Sequence, residues 1–264
     1  MKKEESKYNS SSIFEGMTSI SALLNTSADV NDRRIERILI DQTKRRSKAP
    51  EIGFLTAKSH ELGFPIEFVS PEVIQSSALG SSHGGILAVC SDRTIPTLQA
   101  DLLDTNGFYV YMEGIEDPYN FGNALRSLYA AGVTGVVLPP RNWLSAAGVV
   151  ARASAGASER LPMMIADPET LVREFKKANY RILCAGIRNS VSVFDEDFPF
   201  PLLLVIGGEK RGISAALLEN ADQIVRIDYG RPFQGSLSAS ASAAVLAFEI
   251  MRKNTLNKGK SDLV

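Results

Sequence analysis

The 264-residue chain predicts an α/β fold in two parts, and three observations carry the prediction. Apolar runs of strand length alternate with helical patterns along most of the sequence, the mark of a mostly parallel sheet covered on both sides. The run PLLLVIGG at 201–208 is apolar almost throughout, as a strand buried on both faces is. The stretch DRTIPTLQADLLDTNG at 92–107, with Pro96 and a fall in apolar density, reads as a linker between a small first part and a larger second one.

Residues 1–12 are polar and expected to be disordered. GMTSISALLN fits a short helix and IERILID a strand. KAPEIGFLTAKSHELG reads as a helix closed by Gly63. IEFVS is a strand, PEVIQSSAL a helix with Pro71 at its start, and GILAVCS a strand. In the second part FYVYM and GVVLPP read as strands around the helix NFGNALRSLYAAG. LPMMIA and RILCAGI flank the helix PETLVREFKKAN. After PLLLVIGG come a short helix, SAALLENA, a strand, QIVRID, and a closing helix, SLSASASAAVLAFEIMRKN. The tail after it is expected to fray, and there is no internal repeat.

Composition narrows the function. No run of eighteen apolar residues is present, so no membrane span is expected. The N-terminus has charge but no apolar core and does not read as a signal peptide. Cys90 and Cys184 lie far apart at no metal or redox spacing, which predicts buried thiols in a reducing compartment, the cytoplasm. With only His60 and His83 besides, no metal site is expected. The formal net charge of −1 argues against a non-specific nucleic-acid coat. Even so, NDRRIERILIDQTKRRSK at 31–48 concentrates Arg33, Arg34, Arg37, Lys44, Arg45, Arg46 and Lys48 against Asp32, Glu36 and Asp41. That cluster is either a polyanion-binding patch or a solvated face.

Three segments stand at the C-terminal ends of apolar strands, the edge where open parallel sheets bind ligands. In EGIEDPYNFGNALRSLYAAG, Asn120 sits where a helix N-cap would, and Arg126 falls beside an apolar stripe of Ala124, Leu125, Leu128, Tyr129 and Gly132. A cap and a surface arginine are the plain readings. In VIGGEKRGISAALLENADQIVRI, two glycines directly after a buried strand allow close approach to the backbone, and Glu209, Lys210 and Arg211 crowd the turn that follows. The phosphate-loop and G-x-G-x-x-G patterns are both absent. In SLSASASAAVLAFE, only Leu237 is larger than serine between Ser236 and Ala244, so this helix start can lie very close to another backbone or to a ligand. A Rossmann methyltransferase or dehydrogenase would need a glycine fingerprint after the first strand, where FYVYM is followed instead by EGIEDPYN.

Together, EDPYNFGNALRSLYAAGV, VIGGEKRGISAALLENADQIVRI and SLSASASAAVLAFE resemble the three motifs of the SpoU (TrmH) branch of the SPOUT RNA methyltransferases. HGGILAV at 83–89 and SAGASERLP at 154–162 also fit, and the resemblance spans about residues 13 to 253. It implies an α/β catalytic domain over 105–254 with a trefoil knot, an exception to the near-absence of knots in proteins. It also implies a substrate-binding L30e-like domain over 13–92 that contains the basic cluster. The implied reaction is methyl transfer from S-adenosyl-L-methionine to a ribose 2′-hydroxyl of ribosomal or transfer RNA, in a homodimer without a membrane part. By motif position, Gly207, Ile227 and Leu237 contact the cofactor. Arg126 is the central catalytic arginine, Asn120 and Glu209 orient it and the ribose, and Ser236 lies beside the methyl donor. The resemblance has one departure: Ser238 stands where the third motif usually has asparagine. A non-catalytic RNA-binding paralogue is the alternative this raises.

Overall fold

The computed structural model describes residues 12–81, 83–140 and 146–261, with side chains to residue 255. In chain order the first elements are β1 (Ile13–Glu15), α1 (Gly16–Leu24), β2 (Ile35–Asp41), α2 (Ala49–Leu62), β3 (Ile66–Val69), α3 (Pro71–Ser77) and β4 (Ile86–Cys90). Then follow β5 (Phe108–Glu113), α4 (Pro118–Ala130), β6 (Gly135–Leu138), α5 (Ala147–Ala153), α6 (Ala157–Arg160), β7 (Met163–Ile165), α7 (Pro168–Lys177) and β8 (Arg181–Ala185). The last are β9 (Val191–Ser192), β10 (Leu202–Gly207), α8 (Ala215–Leu218), β11 (Gln223–Arg226) and α9 (Ala239–Ser261). Contacts divide the chain into two compact units: residues to Thr94 together with α5 and α6, and the remainder from Ile95 onward.

The larger unit holds a seven-stranded sheet in the order β7-β6-β5-β10-β8-β11-β9, parallel throughout. The chain runs outward from β5 through β6 to β7, then starts again with β8 on the far side of β5. β10 later fills the gap between β5 and β8, and β11 fills the gap between β8 and β9. β10 is therefore central, and Leu202 to Ile206 are all buried, as the unbroken apolar run predicts. On one face Tyr109 and Tyr111 of β5 and Leu203 and Val205 of β10 join Leu171 and Phe175 of α7. Tyr109, Phe175 and Tyr180 meet edge to face at centroid distances of 5.0–5.8 Å. α4 and α9 pack against each other. The expected linker is not free: Ile165 donates to Pro96 O and Leu98 donates to Ile165 O, both at 2.9 Å, which lays residues 96–98 along the β7 edge.

The smaller unit holds a four-stranded sheet, β1-β4-β2-β3, parallel only between β2 and β3. Ile38 and Ile40 of β2 face one core with Phe14, Leu55 and Phe64, while Leu39 faces another with Ile13, Ile74 and Leu87. This two-residue period is what IERILID predicts. β1, β9, α5 and α6 have no counterpart in the sequence reading. Strands of two or three residues are too short to show alternation, and α5 and α6 are short segments rich in alanine.

The basic cluster is split by β2. Arg33 and Arg34 precede this seven-residue strand and Lys44, Arg45 and Arg46 follow it, about 20 Å apart at the usual rise per residue. Arg33 corrects the expectation of a polyanion contact. Its side chain is 3% exposed and Glu159's 4%. Its Nε donates to Glu159 Oε2 at 3.1 Å, its Nη1 donates to Ser91 O at 2.7 Å, and the guanidinium lies 4.9 Å from the centre of the Phe14 ring. Arg37 is half-exposed and paired with Glu67 at 3.3 Å. Arg34, Lys44, Arg45 and Arg46 are exposed, with Arg45 lying over the Phe68 ring at 3.7 Å. Arg33→Ala leaves the Glu159 carboxylate buried without its cation, so we expect a loss of about 3 kcal/mol in urea unfolding. Arg46→Ala, on the exposed side, is expected to leave the unfolding midpoint unchanged.

Candidate active site

β5 ends at Glu113, and the helix that follows starts with an Asp-Pro pair. Asp117 is the N-cap, its carboxylate accepting from Tyr119 N at 3.3 Å and Asn120 N at 3.0 Å, and Pro118 occupies the first helical turn. The sequence reading put Asn120 at this cap. With Asp117 already in the role, the helix starts earlier and the Asn120 side chain is left for another partner. Its Nδ2 donates to Glu209 Oε1 at 3.3 Å, joining residues 89 positions apart.

Glu209 arrives there because the loop after β10 is stitched to the loop after β5. Gly208 N donates to Glu113 O at 2.6 Å, and Ser214 N donates to Glu113 Oε2 at 2.8 Å. The turn itself closes when Gly212 N donates to Gly208 O at 2.9 Å. A Cβ on Gly207 would lie 2.3 Å from Gly212 C, and one on Gly208 would lie 2.0 Å from Gly114 O. Only hydrogen fits at either position. Lys210 pairs with Glu116 across the same two loops.

The loop after β10, with those after β8 and β11 and the start of α9, borders a cavity of about 460 Å³. Ile206, Ile213, Leu218, Ile224 and Leu246 give it apolar walls, while Glu209, Arg188, Arg226 and Ser236 bring polar groups. The size and the mixture are those of a small-molecule site, for which about 300–1,000 Å³ is usual. Gly207, Ile227 and Leu237 all line the cavity, as do Glu209 and Ser236. Tyr229 lines it too, and its hydroxyl accepts from Leu237 N at 3.2 Å.

Three residues of the expected set lie off this wall: Asn120, which meets it only through Glu209, Arg126 and Ser238. Arg126 is exposed on α4, two turns beyond Asn120, with no hydrogen bond or ion pair among the described residues. Ser238 lies just before α9, where its Oγ accepts from Ala241 N at 3.2 Å and pairs with Ser240 Oγ at 3.0 Å. That is an N-cap geometry, for which asparagine and serine are near-equal. Arg188, Arg226 and Tyr229 escaped the sequence reading. Extending the strand-end argument to β8 and β11 would have reached all three.

Residues 107–248 match the model of the SpoU rRNA methylase family. The chain belongs to the SpoU rRNA methylase family. A protein of Staphylococcus saprophyticus, whose name places it in the TrmH family of tRNA/rRNA methyltransferases, is 30% identical over 86% of this chain and 91% of its own length. The 23S rRNA (guanosine-2′-O-)-methyltransferase RlmB of Xylella fastidiosa is 27% identical over 88% of this chain and 94% of its own. The AdoMet-bound rRNA methyltransferase of Sinorhizobium meliloti superposes with a TM-score of 0.76 at 22% identity, covering 91% of this chain and 87% of that one, and so shares the fold.

For this SpoU chain the close approach at Gly208 is the test of the loop geometry. Gly208→Ala places a methyl group against the main-chain oxygen of Gly114, and a clear drop in melting temperature is expected. Gly53→Ala, inside α2 with open space around the new Cβ, should instead raise stability by about 0.5–1 kcal/mol. Thermal melts of the two variants beside the parent check both.

Proposed function

We propose that this cavity holds S-adenosylmethionine and that Arg126, Asn120, Glu209 and Ser236 form the reaction centre beside it. The reaction is methyl transfer to a ribose 2′-hydroxyl of ribosomal or transfer RNA, and the protein is an RNA 2′-O-methyltransferase. One observation carries the assignment: the loops after β8, β10 and β11 and the start of α9 end on one cavity, and the Asn120–Glu209 bond ties the arginine-bearing helix to its wall. The lining fits an amphipathic nucleoside. Gly207, Ile227 and Leu237 border it, the apolar side chains offer ring contact, and Glu209 is the one carboxylate on the wall among the described residues. We read the loops around the cavity as the trefoil knot of the family.

When bound, S-adenosylmethionine supplies an electrophilic methyl group. The protein's task is then to bring a weakly nucleophilic hydroxyl into line with it, which is positioning and charge stabilisation. Arg126 enters as a cation with a fork of hydrogen-bond donors. It binds the phosphate beside the target ribose and steadies the charge that develops on the attacking oxygen. Asn120 holds Glu209 by its amide, and Ser236 presents a hydroxyl at the wall. Because Ser238 acts as a helix cap and not as part of the wall, its exchange for the usual asparagine supports no change of activity class. Arg34, Lys44, Arg45 and Arg46 are the exposed cations that we assign to RNA contact in the smaller unit. Among the described residues no helix is long and apolar enough to cross a membrane, and no cluster of ligands suited to a metal occurs. An RNA substrate and two buried, unreactive thiols fit a cytoplasmic enzyme.

Two exposed rings support a homodimer: Tyr129 on α4 is 42% exposed and Phe248 on α9 is 41% exposed, on helices that pack together. Light scattering at micromolar concentration is expected to give twice the 28.6 kDa chain mass, and a lone monomer would overturn the dimer. Arg126→Ala is expected to abolish transfer of labelled methyl groups to RNA while calorimetry still finds S-adenosylmethionine bound. Full methylation by this variant would remove the arginine from the mechanism, and loss of cofactor binding would mean that it shapes the cavity instead.

A further inference from the structure

We infer that Arg188 receives the α-carboxylate of the methyl donor, and so sets the direction in which the donor lies along the cavity. The inference rests on the reading of this cavity as the S-adenosylmethionine site. It starts from the charges on the wall. Among the described residues these are Glu209, Arg188 and Arg226. Arg226 is already committed: its Nε donates to Asp228 Oδ1 at 2.6 Å and its Nη1 donates to Ser190 O. Glu209 accepts from Asn120. Arg188 is exposed and has no hydrogen bond or ion pair among the described residues.

The turn that carries Arg188 is built to hold a position. It follows β8, at the same sheet edge as the other loops of the site. Ser190 Oγ donates to Ile187 O at 2.7 Å across the turn, and Asn189 takes the left-handed conformation, with φ at 50°, that closes it. The bond from Arg226 to Ser190 O ties the turn to β11. The backbone is thus fixed on both sides of a side chain that is not itself engaged.

The donor's chemistry supplies the partner. Its adenine suits the apolar walls, but its carboxylate would be costly to leave among them without a hydrogen-bonding cation. A guanidinium matches a carboxylate with two parallel donors. The sulfonium, at the other end of the methionine portion, is repelled by the same group and favoured on the side of Glu209, while the ammonium stays beside the carboxylate that shares its carbon. With opposite charges at two points of its wall, the cavity distinguishes the two ends of the methionine portion.

The test is calorimetry with two probes that differ by one group, S-adenosylmethionine and its decarboxylated analogue. For the parent protein we expect S-adenosylmethionine to bind about tenfold more tightly than the analogue, the range of a charge-assisted hydrogen bond at an exposed site. In Arg188→Ala that difference should vanish, through weaker binding of S-adenosylmethionine alone. Unchanged binding of the analogue shows that the variant's cavity is intact. Arg188→Lys should restore part of the preference. Equal weakening of both probes, or a preference that survives Arg188→Ala, overturns the inference while leaving the cofactor site standing. If the parent protein binds neither probe, the reading of the cavity falls with it.

Discussion

The site depends on how closely the backbone after β10 lies against the backbone after β5. The two strands pair in register as far as Gly207 and Glu113. The next hydrogen bond, from Gly208 N to Glu113 O, carries that register into the loops. Glu113 holds both partners, since its carbonyl takes Gly208 and its carboxylate takes Ser214. The glycines allow no alternative: at the distances seen, a side chain on either would overlap backbone atoms. Glu209, next in the chain, is thereby delivered to Asn120 one turn into α4. A shift between these loops would separate the pair and open the cavity wall at the same point.

The other half of the constraint comes from the closing helix. Ala239, Ala243, Leu246, Ala247 and Ile250 of α9 are buried at helical spacing. α4 buries Phe121, Gly122, Ala124, Leu125 and Leu128. Small residues on both helices let the two backbones come near each other. The run of alanine and serine in α9 therefore packs against α4, the helix that carries Arg126, while Ala239, Ser242 and Leu246 of the same helix line the cavity. Ser238 fixes where α9 begins, and the residues just before it, Ser236 and Leu237, are left at the cavity edge. One segment thus shapes the wall at its start and packs against the helix of Arg126.

Much of this was legible in the residues, and the gaps have physical causes. The parallel sheet followed from strand–helix alternation and from the fully apolar β10, because burial on both faces leaves no polar position. Gly207 and Gly208 were readable as a close approach. Gly207 faces Gly212 of its own turn, but that the backbone approaching Gly208 is Gly114 of the loop after β5, 94 residues earlier, was not readable, since no local signal encodes a tertiary neighbour. The cap at α4 was read three residues late because asparagine and aspartate compete for the same role and Pro118 settles it. Arg33 was misread because charge density along a chain ignores what strand geometry does with it. β2 carries the two ends of the cluster apart, and the pairing of Arg33 with Glu159 joins residues 126 positions apart. The turn that carries Arg188 has no unusual composition. Its position after β8 marks it as a strand-end residue, and the strand order, in which β8 lies beside β10, brings it to this wall.

The charge arrangement bears on how such a protein meets RNA. With a net charge of −1, the chain has little long-range attraction for a polyanion, and several of its cations are neutralised within the fold. Arg33 is held by Glu159, Arg37 by Glu67, Arg152 by Glu15 and Lys48 by Glu51. What remains exposed around β2 is Arg34 at one end and Lys44, Arg45 and Arg46 at the other. Few phosphate contacts mean little counterion release and a modest electrostatic share of affinity. On the proposed reading, discrimination among RNAs must then come from short-range fit. A fold that ties up its arginines internally trades general attraction to RNA for dependence on geometry at one site.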